Sequence, residues 1–223
     1  MSADDINAFW LTIKLASTTS LVLIILGTPL AWWLARTKHY SRILIEPIVA
    51  LPIVLPPTVL GFYLLILFSP NNPIGEYWIS ITGTPLAFTF SALVIGSIIY
   101  SLPFYVQPLQ VAFEGIEPDL LDAATTLGAS PLDRFFSIAV PLSKRGFVVA
   151  ICLAFAHTVG EFGIVLMIGG NIPGETQVLS IALFDHVESL QFESAHNIAG
   201  ALLAFSFLVL TFVYSLNRKW RMS

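Results

Sequence analysis

The sequence predicts an all-α membrane protein with about five transmembrane helices, and three observations support this prediction. Apolar residues make up 56% of the 223 residues and charged residues only 11%, a balance outside the usual range of soluble domains. The apolar residues gather in runs of the roughly 20 residues that cross a bilayer. Almost all basic residues lie on alternate connections between these runs. We therefore expect one transmembrane domain covering residues 1–223.

The first predicted span covers residues 9–35. Gly27, Ala31 and Ala35 recur every four residues in it, a spacing that favours close packing against another helix. The segment before this span lacks the basic region and small-residue cleavage site of a secretory signal. The first span should therefore remain in the mature protein.

The second and third predicted spans, residues 43–68 and 86–113, are interrupted by prolines. Proline frees backbone groups, which is tolerated in a membrane only where neighbouring helices or a water-filled path satisfy them. Packing kinks and the lining of a path both remain open. The prolines are Pro52, Pro56, Pro57, Pro103 and Pro108.

A polar loop at residues 114–142 follows the third span and is predicted to begin with a short helix. Pro118 suits the first helical position, and Asp119 and Asp122 suit the first turns, where the helix dipole favours acids. Gly128 suits the left-handed residue that follows a helix.

A second short helix is predicted after Gly128. Ser130 should cap it, Pro131 should be its first residue, Asp133 should complete a variant of the capping box, and Pro141 should end it. The acidic first half of the loop disfavours an interfacial segment lying on anionic headgroups. The two helices are therefore interpreted as a docking element for a cytoplasmic partner.

The fourth predicted span, residues 143–169, holds the only acidic residue deep in an apolar run. His157 and Glu161 are four residues apart and are expected on one helical face. A buried ionisable side chain in a membrane must face protein or water. The preferred interpretation of His157 and Glu161 is a structural hydrogen-bonding node. A proton relay and the lining of a substrate path are the alternatives. No second His or carboxylate cluster in the spans completes a metal site, so no metal is expected.

The fifth predicted span covers residues 197–216, and the basic residues orient all five. Nine of the ten Lys and Arg residues share one side of the predicted topology, with Lys14 as the exception. The positive-inside rule then places the N-terminus outside and the C-terminus in the cytoplasm. The nine are Arg36, Lys38, Arg42, Arg134, Lys144, Arg145, Arg218, Lys219 and Arg221.

No catalytic motif is present in the sequence. It has no phosphate-binding loop of the G-x-x-x-x-G-K-[ST] type, no H-E-x-x-H and no G-x-S-x-G. We therefore expect a non-catalytic chain that holds no cofactor of its own.

The loop resembles the E-A-A-x-x-x-G-x(9)-I-x-L-P motif of ABC-importer permeases. Asp122 stands where the motif usually has Glu, and Val140 where it usually has Leu. The segments "LPIVLPPTVLGFYLL", "GEFG" and "GGNIPGETQVLSIALFDHVE" resemble permeases of the molybdate, sulfate and tungstate group. The resemblance assigns contact with the ATPase to Asp122, Ala123, Ala124, Gly128, Ala129, Pro131 and Pro141.

The resemblance implies a type I permease fold and a role in carrying molybdate across the bacterial cytoplasmic (inner) membrane. It implies a homodimer with two ATPase subunits that bind ATP and Mg²⁺, and an external molybdate-binding protein; nucleic acid is not an expected partner. Sulfate or tungstate import is the first alternative. A proton-coupled secondary transporter using His157 and Glu161 is the alternative from another class. The candidates for the translocation path or a structural node are Pro56, Pro57, Thr58, His157, Thr158 and Glu161.

Overall fold

The computed structural model describes the backbone of residues 2–221 and the side chains of residues 2–215. This part of the chain is built of helices, without strands. In chain order the helices are α1 (Ala3–Arg36), α2 (Ser41–Val54), α3 (Pro57–Phe68), α4 (Pro73–Thr82), α5 (Phe90–Glu114), α6 (Pro118–Thr126), α7 (Pro131–Leu142), α8 (Lys144–Gly160), α9 (Gly163–Gly169), α10 (Leu179–Glu188) and α11 (Phe192–Arg221). The predicted basic residues after the fifth span, Arg218, Lys219 and Arg221, have side chains outside the described set.

Three helices in the described chain are long and apolar enough to cross a membrane, namely α1, α5 and α11. Two bent pairs pass the same test together: α2 with α3, bent by 111°, and α7 with α8, bent by 74°. Residues 43–68 therefore form a broken helix, because Pro56 and Pro57 follow the extended Leu55.

The fourth predicted span also departs from one continuous helix. α8 ends at Gly160, Glu161 has extended backbone angles (φ −69°, ψ 132°), and α9 begins at Gly163. Glu161 is thus the residue that caps α8, and it does not share a helical face with His157 as the sequence predicted. Gly160 and Gly163 flank the two non-helical residues Glu161 and Phe162 and explain the break, since glycine is a weak helix former.

The main core lies where α1 packs on α5 and α8. Gly27 makes the close approach possible, because a Cβ atom there would lie 2.6 Å from the Tyr105 ring. Thr28 and Tyr105 share a hydrogen bond of 2.8 Å between their hydroxyl groups. Gly27 and Ala31 are buried, as the small-residue spacing predicted for a packed face.

A second core joins α3, α5 and α9 toward the other end of the molecule. α3 and α9 approach closely at glycines on both sides: a Cβ at Gly61 would lie 2.8 Å from the Met167 side chain, and one at Gly163 would lie 2.6 Å from Pro57. This contact places the start of α3 against the break between α8 and α9.

Two short helices, α4 and α10, were not predicted from the sequence. α4 carries ordinary boundary signals, since Asn72 caps it, Pro73 begins it and Gly83 ends it with φ +75°. The buried start of α10 is joined to α1, because the Leu179 amide donates to the Thr12 hydroxyl at 2.8 Å. Both helices lie in segments that hydropathy alone assigns to external loops.

Candidate functional site

The predicted docking loop forms the two helices that its sequence indicates. α6 begins at Pro118 and ends in a Schellman motif: the Gly128 amide donates to the Thr125 carbonyl and the Ala129 amide to the Ala124 carbonyl, both at 3.0 Å. Gly128 has φ +87°, and a Cβ there would meet no atom within 4 Å. Glycine is favoured here by the backbone conformation and not by lack of space.

The second helix, α7, begins at Pro131, and the Ser130 hydroxyl accepts from the Asp133 amide at 3.1 Å. The capping box is only half formed, because Asp133 Oδ1 accepts from the Ser137 hydroxyl instead of the Ser130 amide. The prediction that Pro141 ends this helix was wrong. The chain widens into a π-helical turn over residues 135–139, which relieves the clash between a proline ring and the preceding turn, and the helix continues to Leu142.

The loop presents apolar side chains to solvent. Leu121 is buried in the main core, but Leu127 is 89% exposed and Leu132 is 70% exposed. Leu120 and Phe136 are exposed as well. An apolar patch of this kind on a rigid turn is typical of a protein interaction surface. Asp122, Ala123 and Pro131 are also exposed, while Ala124, Ala129, Ile138 and Val140 are half-buried.

The loop is held firmly against the membrane helices. Arg36, the last residue of α1, donates from Nη2 to the Phe113 carbonyl at 2.7 Å and to the Ile116 carbonyl at 3.1 Å. Arg134 joins α7 to α6 by donating to the Thr125 hydroxyl at 2.7 Å. Ring contacts between Phe135 and Trp32, with centroids 5.4 Å apart, add packing between the loop and α1.

A second candidate site lies where the two broken helices meet. A cavity of about 540 Å³ is lined by the first residues of α3, by α5 and by both sides of the break between α8 and α9. Of the predicted path residues, Pro57, Thr58, His157 and Glu161 line it, together with Tyr100. Pro56 immediately precedes α3, and Thr158 is buried behind the cavity wall.

His157 belongs to a chain of hydrogen bonds whose direction can be worked out by counting protons. The Thr158 hydroxyl donates to the Ala154 carbonyl at 2.9 Å, so it must accept from the Ser101 hydroxyl, 2.9 Å away. Ser101 has then used its only proton and accepts from His157 Nδ1 at 3.0 Å. His157 therefore carries its proton on Nδ1 and leaves Nε2 as an acceptor, with its ring stacked on Phe104 at 3.9 Å.

Glu161 is 4% exposed, and neither carboxylate oxygen has a hydrogen-bond partner in the described structure. The Ser97 hydroxyl lies beside the carboxylate outside hydrogen-bond geometry and is also unpartnered. The Glu161 main chain is fixed differently, because its carbonyl accepts from the Ser180 hydroxyl of α10. The side chain thus faces the cavity wall without the network that a structural node requires.

Sequence reasoning missed Ser101, Tyr100 and Ser180. Serine and tyrosine within an apolar run carry no local signal, and their role depends on which helix packs opposite them. Spacing alone could not place Ser101 beside His157, because the two residues are 56 positions apart.

An ion pair lies at the end of the molecule opposite the docking loop. His186 of α10 contacts Asp5 at the start of α1, with Nε2 and Oδ1 2.8 Å apart, and its Nδ1 lies 3.0 Å from the Gln191 side-chain oxygen. The hydrogen bond to Asp5 raises the pKa of His186. Asp185 beside it accepts from the side chains of Asn171 and Gln177.

Comparison with known proteins identifies the class of molecule. Residues 27–221 match the family model described as binding-protein-dependent transport system inner membrane component. The molybdenum transport system permease protein ModB of Azotobacter vinelandii is 53% identical over 98% of this chain and 96% of its own length. ModB of Escherichia coli K12 is 33% identical over 96% of this chain and 92% of its own, and the sulfate transport system permease CysT of the same strain is 31% identical over 96% and 77%.

Solved structures share the fold. A bacterial alginate ABC transporter, crystallised in complex with a pentasaccharide-bound periplasmic protein, matches with a TM-score of 0.79 at 16% identity over 98% of this chain and 80% of that one. The inward-facing MetNI methionine ABC transporter matches with a TM-score of 0.71 at 16% identity, over 98% and 99% of the two chains. The family match, the full-length relatives and the shared all-helical fold show that this chain belongs to the family of binding-protein-dependent transport system inner membrane components.

Proposed function

We propose that this chain is the permease subunit of an ATP-driven importer that carries molybdate across the bacterial inner membrane. The observation that carries the proposal is the 53% identity, over nearly the whole chain, to a molybdenum transport permease. The sulfate permease relative is 31% identical, which makes sulfate, or the chemically similar tungstate, the second candidate.

A separate ATPase subunit binds ATP and Mg²⁺. The docking loop transmits the conformational change of that subunit to the permease. The exposed Leu127 and Leu132 support this role, since a rigid turn with two large exposed apolar side chains suits insertion into a partner. Asp122, Ala123, Gly128 and the neighbouring loop residues form the ATPase contact. The chain itself has no catalytic role.

The cavity between the broken helices is part of the translocation path. Broken helices at a membrane site offer free backbone groups and helix ends to a passing ion, which suits a transient anion better than tight binding by fixed cations. Thr58 and Tyr100 supply hydroxyl donors there.

The hydrogen bonds of His157 favour a structural role over a proton relay. The chain from His157 through Ser101 and Thr158 ends at the main-chain carbonyl of Ala154, which has no proton to pass on. Glu161 has no hydrogen-bond partner that joins it to this chain. The proton-coupled alternative therefore has weaker support than an ATP-driven mechanism.

Uptake into proteoliposomes tests the proposal. The permease, its ATPase and its external binding protein are reconstituted with ATP on the ATPase side, and radiolabelled molybdate is supplied on the other. We expect uptake that requires ATP, continues with a protonophore and is not reduced by excess sulfate. Uptake that collapses with the protonophore supports the secondary transporter, and equal competition by sulfate supports the sulfate permease.

The functional unit is a homodimer with two ATPase subunits, and the N-terminus lies outside. Cys152 is the only cysteine in the sequence, so Cys152→Ala provides a background for placing single cysteines. In that background Thr58→Cys should form crosslinks between two permease copies, and Ser2→Cys should react with an impermeant thiol reagent added outside. If Thr58→Cys forms no crosslink, the proposal of a path between two permease copies is contradicted. If Ser2→Cys reacts only with reagent added from the inside, the proposed orientation is contradicted.

A further inference from the structure

A basic cavity separates the end of α1 from the docking loop. Its volume is about 640 Å³, within the range of about 300–1,000 Å³ that small-molecule sites span. Four basic side chains and one acidic side chain line it: Arg36, Lys38, Arg42, Arg134 and Asp122. Trp32 forms part of the apolar wall.

Three of the four basic side chains form no salt bridge within the described residues. Arg42 is paired with Glu46 at 2.7 Å and with Glu114 at 2.8 Å. Arg36 instead donates to main-chain carbonyls, with the Glu114 carboxylate as a more distant opposite charge, and Arg134 donates to a threonine hydroxyl. These bonds hold both guanidinium groups in place without a direct contact to a carboxylate. Lys38 is exposed at the rim.

The cavity lies beside the end of α1, a helix long and apolar enough to cross a membrane. α1 ends at Arg36, directly after its apolar length, and the Arg36 guanidinium lies 5.2 Å from the centre of the Trp32 ring. Tryptophan favours the headgroup level of a bilayer, and basic pockets beside the ends of transmembrane helices bind anionic lipid headgroups. Leu127, the exposed tip of the loop, does not line the cavity, whereas Asp122 and Pro131 line it and also belong to the proposed ATPase contact.

We propose that this cavity binds the phosphate of an anionic phospholipid headgroup, and that the lipid thereby supports the docking loop from its membrane side. The ligand chemistry is a phosphate anion held by Arg36, Lys38 and Arg134. A free oxyanion in solution shares this chemistry, but the interfacial position favours the lipid. The inference goes beyond the transport role and does not depend on which oxyanion is imported.

Native mass spectrometry of the purified, delipidated full-length permease tests the inference. The probes are dioctanoyl phosphatidylglycerol and dioctanoyl phosphatidylcholine. We expect tighter binding of the anionic lipid and an affinity loss of about fivefold in Lys38→Gln, since one basic residue near a membrane contributes about that factor. Lys38 is exposed, so the variant should fold normally. Lys144→Gln is the matched control, because Lys144 is exposed on the same predicted side of the membrane but does not line the cavity.

Three results would overturn the proposal. The first is equal affinity for the two lipids, or an equal change in Lys38→Gln and Lys144→Gln. The second is displacement of phosphatidylglycerol by excess inorganic phosphate or molybdate with the same sensitivity to Lys38→Gln, which makes a free oxyanion the occupant. The third is loss of the Lys38-dependent binding when the ATPase is bound, which means that the partner protein fills the cavity.

Discussion

The docking loop and the cavity between the broken helices are built in opposite ways. In the loop, Ser130, Pro131 and Gly128 fix the backbone through neighbours within a few residues. In the cavity, Thr58, Tyr100 and Glu161 come from three distant parts of the chain. The proposed surface for a protein partner therefore depends on local backbone chemistry, whereas the proposed ion path depends on how helices pack.

The loop's apolar tip should give the largest effect. Leu127→Asp introduces a charge that must lose its water when the partner binds. The loss of an apolar interface anchor also costs about 2 kcal/mol or more, or about 30-fold in affinity. We expect the ATPase to be lost on co-purification while the permease still inserts. Leu190→Asp is the control, because Leu190 is similarly exposed, at 72%, in the segment after α10, away from the docking loop. Equal amounts of co-purified ATPase in the two variants would show that Leu127 does not contribute to docking.

Substitutions at Gly128 in the same loop test the backbone conformation of the turn separately from the side-chain contacts with the ATPase. Gly128→Val should cost about 1–3 kcal/mol, because a β-branched residue is strained at φ +87° although its Cβ has open space. We expect the amount of co-purified ATPase to fall about tenfold. Gly128→Asn should retain binding, since asparagine tolerates this conformation. If Val and Asn behave alike, the left-handed turn is not what positions the loop.

The charge at Asp122 tests the loop's chemistry independently of its backbone. Asp122 is exposed and lies on α6, so Asp122→Lys should fold and insert. We expect uptake per permease molecule to fall while ATPase co-purification falls less than in Leu127→Asp. Normal ATP-dependent uptake in Asp122→Lys means that an acid at this position is unnecessary for coupling.

The sequence predicted the loop better than it predicted the cavity for a physical reason. Pro118, Gly128 and Ser130 are signals read within one turn, and the structure places each in the predicted role. Pro141 was misread because proline can remain in a helix when the preceding turn widens.

The cavity could be predicted only in part. The prolines and the buried acid identified Pro57, Thr58, His157 and Glu161 as one group, but a single continuous fourth span put His157 and Glu161 on one face. The contact between Ser101 and His157 depends on helix packing between residues 56 positions apart, which hydropathy does not report. The break at Glu161 lies between Gly160 and Gly163, a local signal that hydropathy also does not report.

Two serines one turn apart on α5 test the packing of the cavity. Both are fully buried, but Ser101 links His157 to Thr158 whereas the Ser97 hydroxyl has no partner. Ser101→Ala should destabilise the permease by about 1–3 kcal/mol, because a buried donor is left without an acceptor. Ser97→Ala should change stability little. Thermal unfolding in detergent measures both, and equal shifts show that the Ser101 hydroxyl does not link His157 to Thr158.

Replacing the buried acid should have a smaller effect. Glu161→Gln keeps the shape of a side chain whose oxygens have no partner, so most ATP-driven uptake should remain. Glu161→Lys is the contrasting variant, since an unpaired buried cation should prevent assembly or block transport. Collapse of uptake in Glu161→Gln with the complex intact would show that the ionised carboxylate has a direct role in the path.

Disrupting the ion pair between His186 and Asp5 should give the smallest effect. The pair lies apart from both the docking loop and the cavity, so its loss should leave both regions unchanged. The hydrogen bond to Asp5 raises the pKa of His186 in the folded protein, so the pair stabilises the fold fully below the unfolded pKa of about 6.5. This contribution is lost as the pH rises through the folded pKa. The His186 side chain is 17% exposed, and the pH-dependent part of the pair's contribution is limited to the difference between the folded and unfolded pKa of His186. We expect the midpoint of thermal unfolding to fall slightly from pH 6 to pH 8 in the wild type, to lose that dependence in His186→Gln, and to retain it in the control His196→Gln.

ATPase co-purification should be the same in all three proteins. A pH-dependent loss of the ATPase in the wild type that His186→Gln removes would show that the His186–Asp5 ion pair and the docking loop are coupled.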